Sequence, residues 1–252
     1  MMRRPFQGVW NIIRFNWPFY SLSVGLVLFI FIFRSYSIGV ISLAADIVLT
    51  LTIGLTLISL LVSWYVYDLS GFYAFNWLSG SPSKKAEKIV NINAGFDETS
   101  QLLADRFAGA ELIACDFYDP KKHTEPSIKR ARKAYPPFPG TRSITTGQVP
   151  LEDGSIDRIF VILSAHEIRD ADERKAFFSE LKRALAASGR IVVVEHLRDT
   201  ANYMAYNIGA FHFHSRSAWL STFKSARLAV EAETKITPFI TAFLLNKNGT
   251  ES

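Results

Sequence analysis

The chain holds a single cysteine, Cys115, which excludes a disulfide framework and any cluster of thiolate metal ligands. Charge is almost missing from its first third: Trp17 to Phe33 carries none, and from Ile38 to Tyr67 Asp46 stands alone. Such a stretch cannot be an ordinary solvated region. The chain also lacks a nucleic-acid signature. Its net charge of +5 is modest, and its most basic run, "KKHTEPSIKRARKAYPP", is interrupted by Glu125 and has no interleaved aromatics. We read that run as a solvated surface that leans at most on anionic lipid headgroups. Glycine is scarce at one telling place. In "KIVNINAGFDETSQLLADRF" the outline is strand, tight turn and helix, yet Asn93, Gly95 and Asp97 stand where a phosphate-cradling loop would have three glycines.

Apolar residues are what the chain has in excess: 49% are hydrophobic and 13% aromatic, with a mean hydropathy of +0.14. The surplus lies before Lys84. A spanning helix needs about 20 mostly apolar residues, with about 17 as a lower limit; the segment from Trp17 to Phe33 meets the limit and that from Ile38 to Tyr67 exceeds it. No small-residue cleavage site follows the first, and the second comes at once, so a hairpin of two spans is expected rather than a signal peptide. Arg3, Arg4 and Arg14 precede it and Lys84, Lys85 and Lys88 follow it, whereas the connecting "RSYSIG" holds only Arg34. The positive-inside rule then puts both ends, and the globular remainder, in the cytoplasm. Asp46 we read as structural, hydrated near the outer interface. The expected organisation is a membrane anchor over residues 1–80 and a cytosolic domain over 81–252.

Beyond Lys84 strand-like and helix-like segments alternate, which argues for a mainly parallel sheet with crossover helices. Strands are expected at Ile89–Ile92, Glu111–Cys115, Arg158–Leu163 and Arg190–Val194, each rich in Ile and Val as strands buried on both faces are. Helices are expected at Glu98–Phe107, Ser127–Ala134 and Ala171–Ala186, the last stopped by "ASG". Two strand-like runs around Ile236–Pro238 predict a terminal antiparallel hairpin at the sheet edge.

In this order, and in "VPLEDGSIDRIFVILSAHEIRDADERKAFFSELKRALAASGRIVVVEHLRD" (Val149 to Asp199) above all, the stretch from Lys88 to Asn248 resembles the class I S-adenosylmethionine-dependent methyltransferases of the type 11 kind, which include the ubiquinone and menaquinone C-methyltransferases. The resemblance implies an α/β, Rossmann-like sheet closed by an antiparallel hairpin, with S-adenosylmethionine as cofactor. The family's Asp-x-Gly-x-Gly-x-Gly motif falls on Asn91, Asn93, Gly95 and Asp97, so only the central glycine is retained, next to Ala94. Asn tolerates left-handed backbone better than most residues do. Asp97 suits a helix N-cap, and it or Glu98 suits the cofactor's ammonium.

By the same resemblance Asp116 accepts the ribose hydroxyls and Phe117 packs on the adenine or in the core. Thr146 and Gln148 lie near the adenine, Ser164 and Ala165 follow the fourth strand, and Tyr67 and Tyr73 cover the cofactor. His166 and Glu167 stand where a proton acceptor would serve, although Glu167 could instead cap the next helix. His196, Tyr206, Phe211, His212 and His214 are expected to line an acceptor site with an aromatic wall suited to a lipophilic molecule. His212 and His214 alone do not make a metal site, and none is expected. The function expected is methyl transfer to a small lipophilic acceptor reached from the bilayer. The alternative is a binding or scaffold module that keeps the fold without the chemistry.

Overall fold

The computed structural model describes residues 4–78, 87–123 and 125–247. Arg3, Lys84 and Lys85 of the charge argument, the boundary at 80/81 and Asn248 lie outside them.

Three helices open the chain: α1 (Gln7–Phe15), α2 (Trp17–Ser35) and α3 (Gly39–Trp64), whose continuation Tyr65–Leu69 widens into a π turn. α2 and α3 pair, and both are long and apolar enough to cross a membrane. Leu22, Phe29, Phe31, Val40 and Ile41 are each more than half exposed. A helix apolar on every side is stable only inside protein or lipid, and the described residues of this chain leave most of the hairpin uncovered. Arg34, the single cation of the connection, grips Asp46 with two hydrogen bonds of 2.9 and 3.2 Å. The pair explains how an acid is held near that end of α3.

The remainder is a seven-stranded sheet in the order β3-β2-β1-β4-β5-β7-β6. Its strands are β1 (Lys88–Asn93), β2 (Glu111–Asp116), β3 (Arg142–Ser143), β4 (Ile156–Ile162), β5 (Leu185–His196), β6 (Ala229–Thr237) and β7 (Ile240–Asn246). The helices are α4 (Ser100–Arg106), α5 (Pro126–Ala134), α6 (Ala171–Ala184), α7 (Thr200–Tyr206) and α8 (Arg216–Ser225). β7 runs antiparallel to both β5 and β6, and the other pairings are parallel. The expected α/β class and terminal hairpin are therefore observed.

Alternate residues of each strand face opposite sides of a sheet, and two cores result. Val90, Val161 and Val193 pack with Phe177 and Phe178 of α6 and Trp219 and Phe223 of α8. Ile89, Phe160 and Val192 pack with Leu103 of α4 and with Val66, Phe72 and Phe75, which follow the apolar hairpin. Val66, Phe72 and Phe75 are at most 1% exposed, so the end of the hairpin is built into the sheet's own core. Burying each such phenylalanine contributes about 1.5–3 kcal/mol.

The structure corrects three local expectations. The helix expected from Glu98 starts at Ser100, with Thr99 as its N-cap residue, and the Asp97 carboxylate accepts from the Thr99 and Ser100 amides at 3.0 and 2.9 Å in the turn before it. The "ASG" stop lies inside β5. Leu185 pairs with Ile156 across a bulge, and a Cβ on Gly189 would meet the Ile156 carbonyl oxygen at 2.9 Å, so only glycine lets the two backbones come this close. Finally, α1 was not expected; its amphipathic nine residues merge in the sequence with the apolar run that follows.

Candidate active site

The loop after β1 is held by its own side chains. Asn93 accepts from the Gly95 amide at 3.0 Å and donates to the Cys115 carbonyl at 3.1 Å, so it closes the turn and ties β1 to β2. Asn93 itself stays in the strand, and the left-handed backbone falls on Gly95, at φ +97°. The expected left-handed Asn93 is thereby corrected: its amide does the work of the turn. Asn91 donates to the hydroxyls of Thr99 and Ser100 at 2.9 and 2.8 Å. Its Oδ1 and the Oδ2 of Asp97 are buried without a hydrogen-bond partner. Unsatisfied buried acceptors are rare in native folds and mark a place for a donor. Ala94 is buried beside them.

Asp116 ends β2. Its carboxylate accepts from the Tyr118 amide at 2.9 Å and from Arg132 of α5 at 2.5 Å, and the Arg132 guanidinium lies 4.3 Å over the Tyr118 ring. A Cβ on Gly95 would stand 2.8 Å from Arg132 Nη1 and 3.0 Å from Tyr118 Cδ2. These two side chains therefore fill the cradle above Gly95. Arg132 is 37% exposed, so it can leave toward solvent at small cost. The basic run is corrected as well. Arg132 turns inward to Asp116, and Arg130 donates to the Phe15 carbonyl at 2.5 Å, so the run is not merely a solvated face.

Other expected cofactor residues are placed differently. Phe117 is 2% exposed and packs on Phe177. Thr146 is buried and donates to Glu173 at 2.5 Å, whereas Gln148 is exposed and bridges back to Thr145. Ser164 donates to the Ile92 carbonyl at 2.9 Å and Ala165 is fully buried, so both brace the end of β4. Leu163 between them and the strand has φ +50°, an uncommon conformation for a bulky residue.

A cavity of about 220 Å³ lies over the carboxyl ends of β1, β4 and β5. Ile162, Leu163 and Phe213 form its apolar floor and side, and Ile12 and Phe15 of α1 its roof. The roof is tied down by residues of the site. The Gly8 and Val9 amides donate to Asp68 at 2.8 and 2.9 Å, and Asn11 donates to Glu98 and accepts from Tyr135. A Cβ on Gly8 would stand 2.4 Å from Tyr67 Cβ. Tyr67 and Tyr73 both line the cavity; their hydroxyls meet His196 at 2.8 Å and Glu98 at 2.7 Å.

His166 also lines the cavity. Glu195, fully buried, accepts from its backbone amide at 3.1 Å and lies 2.7 Å from its Nδ1. Burial alone would lower the His166 pKa, but the charge of Glu195 and hydrogen bonding to Glu167 and Glu195 outweigh it and raise it to about 10. The two carboxylates thus favour the protonated form of its imidazole. Burial would raise the Glu167 pKa, yet His166 and His212 hold it well below the usual carboxylate range.

His196 is the converse case: burial lowers it to about 4, so it is neutral. It stacks on Phe213, and Tyr206 packs edge-on against it. Phe211 is 64% exposed and lies against Tyr203 outside the cavity. His214 turns away to Arg174 and Trp219, and burial together with Arg174 lowers it to about 4. His212 meets His166 edge-on. Asn11 and Arg132 escaped the sequence reading. A carboxylate at a strand end with a basic helix soon after it was the available signal for Arg132; Asn11 had none.

The residues fit S-adenosylmethionine. Gly95 permits close approach, Asp116 suits a diol once Arg132 has moved aside, and the unpaired Asp97 oxygen suits an ammonium. Residues 90–193 match the family described as "Methyltransferase domain". By sequence the chain matches no curated protein. Among solved structures it is similar to a geranyl diphosphate methyltransferase in complex with S-adenosylmethionine, at 15% identity and a TM-score of 0.52, over 75% of this chain and 90% of that one. It is also similar to the complex of the Haloferax volcanii Trm112 methyltransferase activator with its methyltransferase partner, at 13% identity and a TM-score of 0.50, over 72% and 92%. A third, a SAM-dependent methyltransferase from Aquifex aeolicus, matches at 14% identity and a TM-score of 0.48, over 64% and 82%. The match over residues 90–193 runs from β1 into β5 of the sheet described above.

Proposed function

We propose that the chain is a membrane-anchored methyltransferase that moves a methyl group from S-adenosylmethionine to a small lipophilic acceptor. Residues 1–80 would be the anchor and residues 81–252 the catalytic domain in the cytoplasm. The observation that carries this reading is the cavity at the strand ends, roofed by the α1 helix that leads straight into the apolar hairpin. An acceptor dissolved in the bilayer would meet the site at the membrane surface.

When bound, the cofactor supplies a methyl carbon already activated by its sulfonium. What remains for the protein is alignment, which can be worth several powers of ten in rate. Gly95 and Asp116 would set the cofactor's adenosine half, Asp97 and Glu98 its ammonium, and Tyr67 and Tyr73 its cover. The apolar wall of Ile162, Leu163 and Phe213 would exclude water and orient the acceptor, with His166 and His196 as the polar groups that fix its register.

The test uses the full chain in lipid vesicles, supplied with S-adenosylmethionine carrying a labelled methyl group and a lipid extract. Label entering the organic phase supports the reading; label confined to water-soluble or protein fractions overturns the lipophilic acceptor. A second reading, a scaffold that keeps the fold without the chemistry, has one observation in its favour: Arg132 and Tyr118 fill the cradle above Gly95. Under that reading the folded chain takes up no cofactor.

A further inference from the structure

Three side chains distant in sequence converge at the cavity wall. His166 and Glu167 sit on the turn after β4, and His212 comes from the segment between α7 and α8. Nε2 of His166 and Nε2 of His212 each stand 3.5 Å from Oε1 of Glu167, and the ligand atoms of the three lie within 4.8 Å of one another. A tetrahedral ion with bonds of about 2.0–2.1 Å holds its ligand atoms about 3.4 Å apart. Glu167 is therefore already at ligand distance from both rings.

The outer partners point the same way. Nδ1 of His166 faces Glu195 Oε2 at 2.7 Å, and Nδ1 of His212 faces Glu125 Oε1 at 2.9 Å. Behind Nδ1 of His166 the carboxylate fixes that nitrogen as the donor and turns Nε2 toward the metal, the arrangement that orients metal-binding histidines; at His212 the Arg169 guanidinium meets Nδ1 beside Glu125. Arg169 contacts the His212 ring and carbonyl and holds this segment against the turn. The fully buried Glu195 is held through the His166 amide and Nδ1, so the ring it orients is fixed in place. The pairing missing from the sequence, a third ligand for His212, is supplied by the fold and not by His214.

We propose that His166, Glu167 and His212 bind one divalent transition-metal ion, zinc by the donor set, in the wall of the cavity. Two imidazoles and one carboxylate suit zinc, cobalt or iron rather than magnesium, and three protein ligands leave a position for water or an acceptor heteroatom. The inference goes beyond methyl transfer and stands or falls without it, because binding is read with no cofactor present.

The full chain is purified in detergent with a tag free of histidine, stripped with a chelator and titrated with Co²⁺. The expected result is one ion per chain, a visible absorption band of a site with low coordination number, and its loss on adding Zn²⁺. His212→Ala and Glu167→Gln should abolish the band, and Glu195→Gln should weaken binding about 10–100-fold. His123→Asn, at a ring that accepts from the Asp119 amide and packs on Phe117 and Tyr118, should leave the band unchanged. Wild-type protein that is folded by its thermal transition yet takes up neither Co²⁺ nor Zn²⁺ overturns the proposal, whatever the variants do. Uptake that persists in a His166→Ala, His212→Ala double variant overturns it as well.

Discussion

The crevice at the strand ends has two halves that are kept in different ways. Over Gly95 and the end of β2 the space is filled: Arg132 and Tyr118 close on Gly95 and Asp116, through an ion pair that reaches solvent. Over β4 and β5 the space is left open and is walled by buried titratable groups, with His166 pushed up to about 10 and His196 down to about 4. The first half can open by one rotation of an exposed arginine, whereas the second is fixed by hydrogen bonds among mostly buried groups. A protein built this way can let a cofactor enter one half without loosening the walls of the other. Perturbations should therefore separate cleanly: the filled half governs cofactor affinity, and the walled half governs stability and acceptor use.

The largest expected effect is on stability in acid. His196 is neutral in the fold at about pH 4 and upward, while in the unfolded chain it titrates near 6.5. A depressed histidine contributes stability that is fully present above about pH 6.5 and is lost as pH falls toward 4, because the unfolded chain then binds the extra proton. The loss amounts to about 3 kcal/mol at most. Burial sets that shift and His166 adds to it, while Asn202, the Phe239 carbonyl and Asp199 oppose it. His196→Gln should flatten the stability profile between pH 6.5 and 4, as read from urea midpoints. The raised His166 acts in the opposite window, present below about 6.5 and lost as pH rises through 10, so it does not mask this limb.

Next in size is Asp116→Ala, which removes a charged hydrogen-bonding group from the filled half. Cofactor affinity should fall by about 1.5–3 kcal/mol, on the order of ten- to a hundredfold, with the acid stability profile unchanged. Gly8→Val is the counterpart for the open half. The added Cβ would collide with Tyr67, at a cost of about 1–3 kcal/mol, and displace the α1 roof. Acceptor methylation should fall steeply in proteoliposomes. The smallest effect, and the only gain, is expected for Arg132→Ala. Releasing a partly exposed pair should tighten cofactor binding by up to about 1 kcal/mol, roughly fivefold. A loss of affinity in that variant would make Arg132 a cofactor ligand rather than a placeholder and would erase the contrast between the halves.

The strand–helix alternation and the two apolar spans were legible because periodicity and length carry them. The terminal hairpin was legible from its two β-rich runs around Pro238. The loop at Gly95 was only half legible. Sequence shows which glycines are missing, but not that Asn93 and Asp97 replace them through side-chain hydrogen bonds to the Gly95, Thr99 and Ser100 amides. The pairing of Glu167 with His212 was not legible at all, since 44 positions separate them and only the packing of the segment after α7 against the turn after β4 brings them together. The end of the hairpin misled for a physical reason: Val66, Phe72 and Phe75 read equally well as lipid-facing or core, and the sheet takes them as core.

The central claim is that the half-crevice at Gly95 and Asp116 still takes S-adenosylmethionine once Arg132 moves aside. Calorimetric titration of the full chain in detergent with S-adenosylhomocysteine tests it most directly, run in parallel on the wild type and on Asp116→Ala. Micromolar binding by the wild type, weakened at least about tenfold in the variant, is the predicted result. A folded wild type that binds nothing up to millimolar cofactor, or binds as well without Asp116, would contradict the account.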